Sequence, residues 1–85
     1  MKAHDALRKA FIKYNIGADP YSVMELETFV ISSRNEKQNG LSGKNYQSLV
    51  SNLLDLLNRE EVENPDILAK KIADYVLILC EKGCD

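Results

Sequence analysis

The chain has 85 residues, of which 45% are hydrophobic and 28% are charged, and its formal net charge is −2. This length and composition predict one folded domain over residues 1–85 and exclude wholesale disorder. The small negative charge gives no general attraction to nucleic acid or to anionic lipid. The longest apolar run, residues 75–80, is far shorter than the roughly 20 residues that a membrane-spanning helix needs. We therefore expect a cytoplasmic protein that does not enter a membrane.

The first predicted helix runs from about His4 to Asn15. Its apolar residues recur at intervals of three and four positions, so they share one face of a helix. They are Ala3, Leu7, Ala10, Phe11 and Tyr14. Gly17 is expected to end this helix, because glycine readily takes the left-handed conformation found at helix ends.

The second predicted helix begins at Asp19 and Pro20 and continues to about Arg34. Aspartate can cap free backbone amides, and proline suits the first helical position. Residues 28–31 are β-branched and aromatic, so a short strand competes with the helix there. We favour a helix because three apolar residues keep helical spacing. They are Val23, Leu26 and Val30.

Residues 32–40 contain no apolar side chain and are predicted to be a solvated helix end followed by a loop before the third helix. Ser42 is the expected cap, and Leu41 and Tyr46 occupy the positions of a hydrophobic staple around it. A broad apolar stripe follows, which indicates a helix with one buried side. It consists of Tyr46, Leu49, Val50, Leu53, Leu54, Leu56 and Leu57.

The last predicted helix starts at Asn64 and Pro65 and runs to about Lys82, where Gly83 would end it. Its expected core face is Leu68, Ile72, Tyr75, Val76 and Leu79. Its expected wet face is Asp66, Lys70, Lys71 and Asp74. Leu77 and Ile78 fall on the wet side, so we expect them to form an exposed apolar contact.

These segments predict an all-α protein, either a compact four-helix bundle or an irregular four-helix array. The connectors between the helices are short, apart from the one between the second and third helices.

No residue pattern indicates catalysis, a metal site or a bound cofactor. His4 is the only histidine, and no glycine pattern resembles a phosphate-binding loop. Cys80 and Cys84 are four residues apart, which is not the spacing of a redox or zinc motif. Cys80 is predicted to lie in the core and Cys84 to be an exposed thiol, with a labile disulfide as the alternative. We expect a protein that is not an enzyme.

Protein binding fits the residue pattern best. Five carboxylates between residues 55 and 66 form what we call the acidic patch, and the apolar pair Leu77 and Ile78 adds a second contact. The acidic patch consists of Asp55, Glu60, Glu61, Glu63 and Asp66. The sequence thus predicts a stoichiometric protein-interaction domain of the inhibitor, immunity-protein, antitoxin or adaptor type. Its partner would carry a basic surface, and Leu77 and Ile78 would also support a homodimer.

The alternative is a small helical regulator that binds nucleic acid through the basic side of the first helix. That side carries Lys2, Arg8, Lys9 and Lys13. The first two helices resemble a helix-turn-helix in outline, but the second offers Glu25 and Glu27 where base-reading residues are needed. Nucleic acid is therefore the less favoured partner.

Overall fold

The computed structural model describes residues 1–37 and 43–82. These residues form four α-helices and no strand: α1 (Ala3–Lys13), α2 (Pro20–Lys37), α3 (Lys44–Arg59) and α4 (Pro65–Lys82). The all-α prediction is confirmed. Residues 28–31 are helical, so the competing strand does not form.

The helices α2 and α4 pack against each other across the middle of the fold. Each also packs against both α1 and α3, whereas the described residues of α1 and α3 do not meet. The buried face of α4 combines the small residues Ala69, Ala73 and Cys80 with larger aliphatic ones. Small side chains allow neighbouring helices to approach closely, and α4 packs against each of the other three helices.

One continuous apolar cluster joins all four helices. Leu7 and Phe11 come from α1, and Val30 comes from α2. The helix α3 adds four buried leucines, and α4 adds six buried residues, among them Ile72. The fully buried leucines of α3 are Leu49, Leu53 and Leu57. Each helix thus buries one stripe, as the apolar spacing predicted.

Leu77 is the main correction to the predicted helix faces. It is only 3% exposed and lies in the core, whereas Ile78 beside it is 43% exposed. Leu77 follows Ala69 and Ala73 at intervals of four residues, and both alanines are completely buried. The predicted face omitted these alanines and was therefore rotated towards Leu68, Tyr75 and Leu79, which are only partly buried, whereas Ile72 and Val76 are buried as predicted. Leu77 cannot offer an apolar contact to a partner.

The helices α1 and α3 end in the same backbone motif. The amide of Asn15 donates to Ile12 O and that of Ile16 to Phe11 O, which is a Schellman motif with Asn15 in the left-handed conformation (φ 55°). The prediction that Gly17 ends α1 was wrong, because α1 stops at Lys13 and Asn15 takes that role.

In α3 the equivalent left-handed residue is Glu61 (φ 55°). Its amide donates to Asn58 O, and the amide of Val62 donates to Leu57 O. A glutamate in this conformation carries strain that a glycine would not, because its Cβ crowds the backbone.

The predicted start of α2 is confirmed. The carboxylate of Asp19 accepts a hydrogen bond of 2.8 Å from the amide of Ser22, and this bond holds the pKa of Asp19 below its usual value. The helix α3 has Gly43 at its cap position, while the predicted cap Ser42 and staple residue Leu41 lie outside the described residues. Gly83, the predicted end of α4, also lies outside them.

We expect Glu61→Gly to raise the free energy of unfolding by about 1 kcal/mol, because glycine adopts the left-handed conformation without strain. Glu60→Gly is the matched control. It removes the same charge at the neighbouring position, where φ is −87°. Glycine there adds only conformational entropy to the unfolded chain, so this variant should have a lower free energy of unfolding. Chemical denaturation of both variants checks the pair, and equal effects would contradict the assignment of strain to Glu61.

Ser33 offers a second test of the core. It is 2% exposed, and its hydroxyl has no hydrogen-bond partner among the described residues. A buried polar group without a partner is costly, so Ser33→Ala should stabilise the protein by about 1 kcal/mol. Ser51→Ala, at an exposed position of α3, measures the gain from helix propensity alone. If Ser33→Ala raises the free energy of unfolding no more than Ser51→Ala does, the Ser33 hydroxyl is not an unsatisfied buried group.

Candidate functional site

All five residues of the acidic patch are exposed. None of them forms an ion pair with another described residue. Glu60, Glu61 and Glu63 lie in the connector between α3 and α4, and Asp66 lies in the first turn of α4. Asp55 stands apart from these four, because it lines a groove between α2 and α3 together with Arg59 and Glu25.

Glu60 lies against the turn between α1 and α2. Its Oε1 atom is 3.3 Å from the position that a Cβ atom on Gly17 would occupy. Arg59, the cation nearest in sequence, lies close enough to Asp19 to contribute to lowering the pKa of that carboxyl. Because Arg59 is directed towards α2, it does not form an ion pair with the carboxylates of the connector.

Glu63 forms one wall of a shallow cleft at the start of α4. The cleft is also lined by Ile67, Leu68 and Lys71, and Ile67 is strongly exposed. Ile78 lies eleven residues further along α4, on the same side of the helix as Ile67. Of the predicted apolar pair, Ile78 is exposed and Leu77 is buried, and Ile67 is a further exposed apolar residue on the same side of α4.

A larger groove separates α1 from α2. It encloses about 580 Å³, and its lining is mostly apolar. Phe11 and Val23 are buried and form its floor, while Ile12 and Pro20 are exposed and form opposite rims. Along the α1 side the lining runs from His4 past Arg8 and Ile12 to Gly17.

Three strongly exposed apolar side chains lie in α1 and α2. Ile12 is 76% exposed, Tyr21 is 82% exposed and Met24 is 64% exposed. Ile12 lines the groove, and Met24 follows Pro20 by one turn of α2 and so lies beside it. Sequence reasoning did not identify this surface. The available signal was that Ile12 falls outside the apolar row of the first helix.

Arg8 and Lys13 of α1 lie on different sides of the helix. Arg8 lines the groove beside α2. Lys13 lies beside α4 instead, with its Nζ 4.3 Å from the centroid of the Tyr75 ring. Tyr14 meets Tyr75 edge to face, with the centroids 6.2 Å apart. Lys13 thus contributes a cation–π contact between α1 and α4.

His4 is tied to α2 through Glu27. Its Nδ1 lies 3.3 Å from Glu27 Oε2. His4 also lines the groove between α1 and α2. The contact joins the first turn of α1 to the middle of α2. The sequence alone did not indicate this pairing.

Within the described ranges, no group of histidine, cysteine or acidic residues is arranged to hold a metal ion. Cys80 is buried as predicted, and burial raises the pKa of its thiol, which favours the unreactive protonated form. Cys84 lies outside the described residues. None of the helices in the described part of the chain has the length and apolar character that a membrane crossing requires.

Tyr46 makes a polar contact that the staple prediction did not include. Its hydroxyl donates a 2.7 Å hydrogen bond to Asp74 Oδ1 and so joins α3 to α4. Burial, followed by this hydrogen bond and the charge of Asp74, raises the pKa of Tyr46 to about 12. Because the folded pKa exceeds the usual value of 10.0, this contact stabilises the fold fully below pH 10 and its contribution is lost as the pH rises towards 12.

We expect Tyr46→Phe to lower the free energy of unfolding by about 1 kcal/mol at neutral pH, because Asp74 loses its hydrogen bond. The same change should remove the phenolate transition near pH 12 from an ultraviolet absorbance titration. Tyr21→Phe is the control, since Tyr21 is exposed and this substitution should leave that transition in place. A transition near pH 12 that persists in Tyr46→Phe would contradict the assignment.

Comparison of the chain with protein-family models, with curated proteins and with solved structures found no match.

Proposed function

We propose that this chain is a non-enzymatic interaction domain that binds a protein partner with a basic surface in a stoichiometric complex. It would act in the cytoplasm as an inhibitor, immunity protein, antitoxin or adaptor. The observation that carries the proposal is the group of four exposed carboxylates between residues 60 and 66, none of which is ion-paired with a described residue. They are Glu60, Glu61, Glu63 and Asp66.

Most of these carboxylates do little for the fold itself. Asp66 is favourably placed in the first turn of α4, where the helix dipole attracts negative charge. Glu61 occupies a strained left-handed position, and a glutamate is a poor choice there for stability alone. Concentrated charge of one sign increases the association rate with an oppositely charged surface and penalises like-charged competitors.

An apolar contact lies next to this charge. Ile67 follows Asp66 directly, is exposed, and shares a cleft with Glu63. Protein interfaces commonly combine an apolar centre with a polar rim, and Ile67 between these carboxylates matches that arrangement. Ile78 extends the apolar side of α4, and Asp55 adds charge from the groove between α2 and α3.

The test is affinity capture from the cells that produce the protein, using the chain and its Glu60→Lys, Glu61→Lys, Glu63→Lys triple variant at low and high salt. We expect one dominant partner that the triple variant loses, together with an association rate that falls steeply with salt for the unmodified chain. Surface plasmon resonance with the purified partner measures that rate.

A charge-matched control separates the effect of changing the acidic patch from the effect of changing the net charge of the chain. The variant Asp5→Lys, Glu25→Lys, Glu81→Lys makes the same change in net charge at exposed positions outside the acidic patch. It should keep most of the association rate. Equal losses in the two triple variants, or a partner that both still bind normally, would refute binding through the acidic patch.

A further inference from the structure

The solvent-facing side of α4 carries a row of four exposed side chains, which we call the outer row. It consists of Ile67, Lys71, Asp74 and Ile78. They follow one another at intervals of four, three and four residues, so they lie in line along the helix. At the rise of an α-helix, the two isoleucines are about 16 Å apart. The outer row is therefore apolar at each end and charged in the middle.

The two charged side chains of the outer row are open to a partner. Lys71 forms no ion pair with any described residue. Asp74 accepts the hydrogen bond of Tyr46 on Oδ1, and a carboxylate has two oxygens, so Oδ2 is left for a cation. The bond from Tyr46 also orients this carboxylate in advance, which lowers the entropic cost of a further contact.

We propose that the outer row is the contact surface of a two-fold symmetric homodimer, in which the two α4 helices pack antiparallel. In such an interface both chains use the same patch, and every contact occurs twice. A two-fold axis that crosses α4 midway between residues 72 and 73 places Ile67 over Ile78 of the second chain. The same axis places Lys71 over Asp74 of the second chain. One rotation thus pairs all four side chains of the row.

The order of the charges selects a second copy in this orientation. Parallel helices would place Lys71 on Lys71 and Asp74 on Asp74, and like charges repel. A partner surface of uniform charge would be attracted to one of these residues and repelled by the other, because they are only about 4.5 Å apart along the axis. An antiparallel copy pairs both charges and both isoleucines at once.

The cleft at the start of α4 receives a side chain of the second chain. It is lined by Glu63, Ile67, Leu68 and Lys71. Because Ile78 of the second chain lies over Ile67, it enters this cleft. Leu68 and Tyr75 border the outer row on one side and are only partly buried. The same axis brings them towards each other, which adds a second apolar contact beside the row.

The charged pairs in the middle of this interface specify its register. A polar pair within a helix–helix contact fixes alignment and orientation at some cost in affinity. Any shift of one helix along the other would place Lys71 or Asp74 against an isoleucine. The outer row therefore favours one arrangement of the two chains.

Sedimentation equilibrium of the purified chain under reducing conditions tests the proposal over a wide concentration range. We expect the chain to dimerise and Ile78→Asp to be monomeric throughout, because a carboxylate would then lie on Ile67 of the second chain. Ile31→Asp is the matched control on α2, where Ile31 is 46% exposed and Ile78 is 43% exposed. It should dimerise like the unmodified chain. Circular dichroism verifies that both variants are folded.

A charge swap tests the facing of Lys71 and Asp74. Lys71→Asp and Asp74→Lys should each weaken dimerisation about tenfold or more, because each places two like-charged pairs in the interface. The double variant Lys71→Asp, Asp74→Lys restores opposite charges and should return the dissociation constant to within about threefold of the original. Lys9→Asp changes the net charge as Lys71→Asp does, at an exposed position of α1, and should leave the dimer unchanged.

Three results would overturn the proposal. They are a monomer at every concentration, a dimer that Ile31→Asp disrupts as strongly as Ile78→Asp does, and a double variant as weak as either single variant. Ile67 also lies in the surface proposed for a basic partner, so that partner would compete with the dimer. Sedimentation uses the purified chain alone, and its outcome is therefore independent of whether a partner is captured through the acidic patch.

Discussion

The close packing around Ala69 and Ala73 of α4 is the constraint on which the remaining packing depends. Both alanines are completely buried, and α4 packs against each of the other three helices. A larger side chain at either alanine would push a neighbouring helix away from α4, because protein cores leave no space for added methylenes. With α2 and α4 in contact, α1 and α3 are held on opposite sides of the pair.

That arrangement accounts for the groove between α1 and α2. The helix α1 has 11 residues, packs against both α2 and α4, and buries its side chains in the centre of the fold. Phe11 and Val23 close the bottom of the contact, while Ile12 and Met24 lie too far from the core to be covered. The apolar exposure on this face thus follows from the way α1 sits on the α2–α4 pair.

The sequence was sufficient for the fold class and the helix positions, since apolar spacing and helix caps are local signals. Asp19 caps α2 as predicted, and residues 28–31 stay helical because Val30 fits the core row. The burial of Leu77 was missed because alanines were not counted as core residues, although close helix contacts depend on them. The left-handed Asn15 was missed because glycine is the commoner residue at that position.

The candidate surfaces were harder to predict than the helices. The acidic patch is continuous in sequence from Glu60 to Asp66, so its charge could be read directly. The groove brings together Arg8 and Ile12 of α1 with Pro20 and Val23 of α2, and Glu60 lies against Gly17 from another part of the chain. Such proximity depends on how the helices cross, which local spacing does not specify.

Glu60 differs from the other connector carboxylates of the acidic patch in what surrounds it. Its Oε1 atom lies 3.3 Å from the position that a Cβ atom on Gly17 would occupy, so it contacts the turn between α1 and α2. Glu61 and Glu63 lie in the connector between α3 and α4, and Asp66 lies in the first turn of α4. A partner that engages all four carboxylates would therefore bind beside a surface to which two separate parts of the chain contribute, and that surface exists only when the helices are packed together.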